Sequence, residues 1–210
     1  MSKTKIAIQG ELGAYSHIAA ESLYKEAEIK TCATFEETFK YAYNDQNFKI
    51  VIPIENSLAG RVADIHYLLP KYKLQIHGEH FQTVEHNLLC KREASIDDIK
   101  FVRSHAQAIG QCQNMINKRK FKPIISADTA GSAKDLAEGE DKSIAAIASE
   151  LSAKIYNLKI LEKNIEDEKG NVTRFLIMGK NIEQPEFSKN KKFITSCIFR
   201  VKSEPSALYK

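Results

Sequence analysis

Between Lys5 and Gly179 the chain alternates short apolar runs with helix-length amphipathic stretches, and this alternation most narrows the folds open to it. Strands that alternate with helices argue for sheets covered by helices on both faces, and we expect those sheets to be parallel. Lys5–Gln9 is a short apolar run that stops at Gly10, Tyr15–Tyr24 reads as a helix, and Lys30–Ala33 reads as a strand. Thr34, with Glu37 after it, forms a capping box at the head of the stretch Phe35–Tyr43. Ile50–Ile54 is unbroken, mainly β-branched and carries Pro53 near its end, so it reads as a buried strand stopping at the polar loop Glu55–Gly60. Val62–Leu69 follows as a helix.

A second unit then begins. Leu74–Phe81 and Thr83–Cys90 are strand candidates, and Ser95-Ile-Asp-Asp98 caps a short helical turn. The strands Phe101–Ser104, Lys122–Ser126, Ser143–Ile147 and Lys159–Ile165 alternate with helices over Ala106–Arg119, Thr129–Glu138 and Glu150–Tyr156. Asn171–Gly179 is a further strand that returns to the first unit. The expected organisation is therefore two Rossmann-like lobes with a cleft between them. Lobe 1 spans about residues 1–80 plus 172–180, and lobe 2 spans about 81–171. Asn181–Lys192 is polar, contains Pro185 and reads as a linker, Phe193–Val201 reads as a strand, and Pro205–Lys210 reads as the start of a helix.

Composition narrows the partners. Lys and Arg number 31 against 27 Asp and Glu, a mild excess of +4 spread along the chain. The densest basic stretches, Asn117–Lys122 and Lys189–Lys192, lack the interleaved aromatic pairs of a single-strand-binding surface, so no nucleic acid is expected. No run reaches the roughly 20 apolar residues of a membrane span, and Met1-Ser-Lys-Thr-Lys5 leads straight into a strand without a signal-like apolar region. Cys32, Cys90, Cys112 and Cys197 are far apart in sequence, which reads as a reduced cytoplasmic protein. His17, His66, His77, His80 and His86 have no ligand-like spacing, so no metal is expected.

In open α/β sheets ligands bind outside the carboxyl ends of strands, so the residues at those ends are the candidates. They are Gln9–Gly13 with Tyr15 and Ser16, then Glu55, Asn56 and Ser57, then Ser104, His105 and Gln107, then Asp128 and Thr129. Asn171, Thr173 and Arg174 stand near the last strand of the body. Each has a plainer reading. Gly10 and Gly13 lack a third glycine and a following acidic residue, so a strand-to-helix turn is preferred to dinucleotide binding. Glu55-Asn56-Ser57 serves equally as a turn with a helix cap, His105 as a helix-start residue, and Thr173-Arg174 as an exposed strand pair. Their joint placement favours a site: hydroxyl, amide and cationic groups with few carboxylates suit a small polyanion held by hydrogen bonds.

The blocks Pro53-Ile-Glu-Asn-Ser-Leu-Ala-Gly60, Ser104-His-Ala-Gln-Ala108 with Gln111-Cys112, and Asn171-Val-Thr-Arg-Phe175 resemble, in order and spacing, the signature blocks of prephenate dehydratases. Gly10–Ser16, Asp128–Ala133 and Ala145–Ile147 resemble further blocks, so the resemblance covers about residues 5–179. It implies a fold like the type 2 periplasmic binding proteins, a homodimer or homotetramer, no cofactor, and conversion of prephenate to phenylpyruvate in phenylalanine biosynthesis. It implies Thr173 at the leaving hydroxyl and Arg174 gripping a carboxylate, with His105 as an alternative acid. Ser16, Asn56, Ser57, Ser104, Gln107 and Phe175 would contact substrate, supported by Glu55 and Asn171. Tyr15, in Ala14-Tyr15 where the family more often has Thr-Phe, would keep an aromatic wall. Residues 193–210 resemble the beginning of an ACT regulatory domain, with Ser206 in place of its glycine, so L-phenylalanine is an expected regulator only where that domain is complete. Arogenate dehydratase, or a binding module without chemistry, would satisfy the same cleft.

Overall fold

The computed structural model describes residues 3–180, 186–192, 201–207 and 209. The linker residues 181–185 and most of the expected strand, 193–200, lie outside the described residues.

Two five-strand paths organise the chain. The first comprises β1 (Lys5–Gln9), β2 (Glu28–Cys32), β3 (Phe48–Asn56), β5 (Gln75–Thr83) and β11 (Val172–Gly179) in the order β2-β1-β3-β11-β5, with β4 (Gly60–Arg61) folded back on β3. The second comprises β6 (Asn87–Cys90), β7 (Phe101–His105), β8 (Lys122–Ser126), β9 (Ile144–Ala148) and β10 (Lys159–Glu162) in the order β10-β6-β9-β7-β8. Each sheet is mixed rather than parallel. β11 runs antiparallel to β3 and β5, and β6 runs antiparallel to β9 and β10. These exceptions have one origin. β6 is the strand by which the chain enters the second sheet and β11 the strand by which it re-enters the first, so neither is delivered by a βαβ crossover.

Both sheets are covered on two faces. α2 (Phe35–Asn44) and α3 (Ala63–Tyr72) cover one face of the first sheet, where Ile50, Ile52, Leu176 and Met178 pack with Phe39 and Leu68. α1 (Tyr15–Leu23) covers the other, where Ile6, Ile8, Val51, Phe175 and Ile177 meet Ala19 and Ala20. The alternation along β11 (Phe175 and Ile177 to one side, Leu176 and Met178 to the other) is the period of two of a strand buried on both faces. In the second sheet α4 (Ala106–Gly110) and α5 (Gln113–Arg119) pack on one side, with α6 (Thr129–Glu138) and α7 (Glu150–Ile155) on the other.

Two segments, 84–86 and 163–171, pass between the sheets and bind each other. Val84 N donates to Asn171 O at 2.8 Å and Ile165 N to His86 O at 2.9 Å. The expected strand Thr83–Cys90 is therefore interrupted at this crossing. The expected helix Ala106–Arg119 breaks at Gln111-Cys112. Asp167 N takes the Gln111 carbonyl at 2.7 Å, and the Asp167 carboxylate accepts from Asn114 N at 3.1 Å, capping α5 from a distant part of the chain.

Smaller departures have local causes. Thr34 Oγ1 accepts from Glu37 N as a capping box requires, but the Glu37 carboxylate accepts from Ala33 N instead of Thr34 N. β3 runs on to Asn56, and Ser57, Leu58 and Ala59 form the three-residue turn of a hairpin with β4. Pro205–Ala207 form a turn, not a helix, because Ser206 adopts a left-handed φ of 61°. No helix among the described residues is long and apolar enough to cross a membrane.

Candidate active site

A cavity of about 470 Å³ lies between the two sheets, within the range of small-molecule sites. β11 runs antiparallel to β3, so its amino end, with Asn171 and Thr173, meets the carboxyl end of β3. The starts of three helices face the same space: Ala14, Tyr15 and Ser16 at α1, His105 and Gln107 at α4, Asp128 and Thr129 at α6. Helix amino termini carry unsatisfied N–H groups and partial positive charge, so their convergence favours an anion.

An irregularity in β3 aims its end. Pro53 stands opposite Phe175 and Glu55 opposite Arg174, which leaves Ile54 as an extra residue. Pro53 has no N–H for the ladder, and a bulge beside it changes the phase of the strand. Asn56 consequently pairs with Thr173 and shares its face of the sheet.

A continuous chain of hydrogen bonds runs along the cavity floor. Leu58 N and Ala59 N donate to Asn56 Oδ1 at 3.0 and 2.8 Å. Asn56 Nδ2 donates to Asn171 Oδ1 at 2.6 Å and to Thr173 Oγ1 at 2.9 Å. Asn171 Nδ2 donates to Gln111 Oε1 at 3.1 Å, and Gln111 Oε1 lies 2.9 Å from His86 Nε2. Thr173 Oγ1 accepts from Asn56, and no described residue accepts the Thr173 hydroxyl hydrogen. That hydrogen is therefore available to whatever occupies the cavity.

Of the eleven residues given catalytic, binding or supporting roles by the resemblance, the cavity brings together seven: Ser16, Asn56, His105, Gln107, Asn171, Thr173 and Phe175. His105 caps α4, its Nδ1 accepting from Gln107 N at 3.3 Å. Four others lie elsewhere. Arg174 points to the opposite face of the first sheet, where its guanidinium binds Glu79 at 2.7 Å and Glu55 at 3.1 Å and lies 6.0 Å from the Phe81 ring centroid. With both carboxylates engaged there, it does not line the cavity. Glu55 is correspondingly a partner of Arg174. Ser104 is fully buried beneath the cavity, its hydroxyl donating to Ile147 O at 2.7 Å. Ser57 clasps β11: its N donates to Val172 O and its hydroxyl accepts from Val172 N, both at 2.9 Å.

Arg61, His86 and Gln111 line the cavity without having been assigned roles there. Arg61 is the one Lys or Arg among the lining residues and makes no ion pair with a described residue. Burial pushes the His86 pKa down and keeps its ring neutral, while burial raises the Tyr15 phenol well above its ordinary value. Asp128 also lines the cavity, but its carboxylate accepts from Gly131 N at 2.6 Å and caps α6. A period-two reading of Val172–Phe175 would have separated Thr173 and Phe175 from Arg174. No local signal marks Arg61, since its relevance comes from the hairpin that returns it to β3.

Residues 6–183 match the family model described as Prephenate dehydratase. The chain is 39% identical, over its whole length and 54% of the relative's, to an arogenate dehydratase/prephenate dehydratase of Arabidopsis thaliana. It is 38% identical to the prephenate dehydratase of Methanocaldococcus jannaschii, over 94% of this chain and 72% of that one. Among solved structures it superposes on GqqA, described as a quorum-quenching acylase, with a TM-score of 0.82 and 36% identity, covering 98% of this chain and 74% of that one. The chain spans about half the length of several curated relatives it matches.

Proposed function

The chain belongs to the prephenate dehydratase family, and from that premise we propose that it converts prephenate to phenylpyruvate, carbon dioxide and water. One observation carries the reading. Thr173 is held as a hydrogen-bond acceptor by Asn56, and its own hydrogen is left to the cavity. In prephenate the ring carboxylate leaves as carbon dioxide, and its bonding electrons aromatise the ring as the opposite C–O bond breaks. The difficulty is the departing hydroxide. Thr173 donates to that oxygen as charge develops on it, and a proton from His105 or solvent completes the water. Helix amino termini and Arg61 balance the substrate's two negative charges.

On this reading the chain is a carbon–oxygen lyase of the hydro-lyase class, acting in phenylalanine biosynthesis without a cofactor. The buried free thiols Cys32, Cys90 and Cys112 suit a reducing, cytoplasmic setting. Family resemblance supports a homo-oligomer and, with a complete ACT domain, regulation by L-phenylalanine.

Arogenate is the second reading. It replaces the ketone by an ammonium group, and the Asp128 carboxylate in the cavity wall is a suitable partner for that cation. Mixing the protein with each substrate and following phenylpyruvate and phenylalanine separates the two. Turnover of neither compound would overturn both readings.

A further inference from the structure

We infer that His86 is a positioning residue for Thr173, acting through a hydrogen-bond chain of fixed polarity. The inference rests on reading Thr173 as the donor to the departing hydroxyl.

The polarity follows from groups whose roles admit one choice. The backbone N–H groups of Leu58 and Ala59 can only donate, so the Asn56 atom facing them is its oxygen, and its nitrogen faces Asn171 and Thr173. Asn171 must then present its oxygen to Asn56 and its nitrogen to Gln111. Gln111 presents an oxygen, which accepts only. The His86 nitrogen 2.9 Å from that oxygen must therefore carry hydrogen. The neutral ring is the Nε2–H tautomer with Nδ1 bare, and the Tyr15 hydroxyl, 3.3 Å from that nitrogen and 2.6 Å from Glu85 O, has one hydrogen that either can accept. Reversing any link would set two donors or two acceptors against each other. The chain that holds Thr173 thus ends, four hydrogen bonds away, on a histidine of defined tautomer.

His86 sits where such control would matter. It belongs to the first crossing segment, is only 2% exposed, and its backbone N–H is held by the Glu166 carboxylate of the second crossing at 2.9 Å. Gln111 lies at the break between α4 and α5 on the second sheet, and Asn56 and Thr173 belong to the first sheet. The chain forms only when the two units are correctly placed, so Thr173 is aimed when the cleft is assembled. A histidine that merely filled space would need neither a defined tautomer nor a link to the cavity.

Two measurements test this. In the intact protein labelled with ¹⁵N-histidine, the ring nitrogen shifts report the tautomer, with the His86 signal identified by its loss in His86→Gln. Nε2–H is expected, and Nδ1–H would overturn the chain whatever the substrate. His86→Phe fills the space without a donor and should lower kcat roughly 10- to 100-fold at near-constant KM, the cost of a slightly misplaced catalytic group. His86→Gln, with an amide N–H near the Nε2 position, should recover most of the loss, and Gln111→Met should reproduce it. Equal kcat in His86→Phe and the unsubstituted protein, or no rescue by glutamine, would overturn the positioning role. An unsubstituted protein inactive on prephenate and arogenate would sink the assigned reaction while the tautomer still decided the chain.

Discussion

Thr173 and Arg174 are adjacent in the chain and stand on opposite faces of one sheet: the Thr173 hydroxyl lies 2.9 Å from the Asn56 amide in the cleft, and the Arg174 guanidinium lies 2.7 Å from Glu79 behind it. Substitutions at the two positions should therefore fail differently. Thr173→Ala should lower kcat roughly 100- to 1000-fold, as removal of an oxyanion-hole donor does, while leaving the fold intact. Arg174→Met should leave KM for prephenate unchanged and cost about 1–2 kcal/mol of stability, because two partly exposed ion pairs are lost and Glu55 and Glu79 are left side by side. Steady-state kinetics with thermal unfolding tests both. A large rise in KM for Arg174→Met would place its guanidinium on the substrate.

The strands and most helices were legible because apolar runs end at glycine, proline or capping residues, which are local signals. The break at Gln111-Cys112 was not, because its cause is Asp167, brought there by the return crossing. The polarity of β11 was likewise hidden: a strand's direction depends on where the chain re-enters the sheet. Asn56, Thr173 and Asn171 could be singled out as polar groups at strand ends. Arg174 shares that stretch but not that face, and only the side-chain alternation of the strand separates it from them.

Arg61 is expected to bind one carboxylate of the substrate. The register sets it across from Glu55, which Arg174 holds, and Arg61 lines the cavity without an ion pair to any described residue. Arg61→Met should raise KM roughly 10- to 100-fold, the worth of a charged hydrogen bond, with a much smaller change in kcat. Arg61→Lys should recover only part of the loss, since a point charge does not match two oxygens. An unchanged KM in Arg61→Met would return Arg61 to the solvated surface.

Gly13 ties the loop after β1 to the second sheet's helices. Its carbonyl accepts from the Ser149 hydroxyl at 2.6 Å and the Ser152 hydroxyl at 3.1 Å, and its φ is +91°. A Cβ there would lie 2.8 Å from Ser152 Cα, which cannot move without shifting α7. Gly13→Ala should therefore cost about 1–3 kcal/mol through strain and overpacking. The loss should be visible as a lowered Tm, and Ser152→Gly in the same chain should restore part of it by removing the opposing side chain.

Acid should weaken the fold through three histidines that packing removes wholly or partly from water. Burial lowers the pKa of His86, and of His17 and His77, from an ordinary value of 6.5. Below about 6.5 the unfolded chain then binds protons that the folded chain does not, so stability is complete above that pH and falls as pH drops toward the folded-state values. Each such group contributes a slope of at most about 1.4 kcal/mol per pH unit. Glu36 and Glu150 (ordinary value 4.5), bound by lysines, and Asp98 and Asp141 (3.8), bound by Ser95 and Ser143, act lower, because their lowered pKa values preserve the charged form until more acid is added. Denaturant midpoints between pH 7.5 and 5.5 should therefore decline, and His86→Gln should flatten the decline by removing one of the three groups. An undiminished slope in that variant would mean that His86 takes up its proton equally in the folded and unfolded states, which would contradict its burial in the crossing.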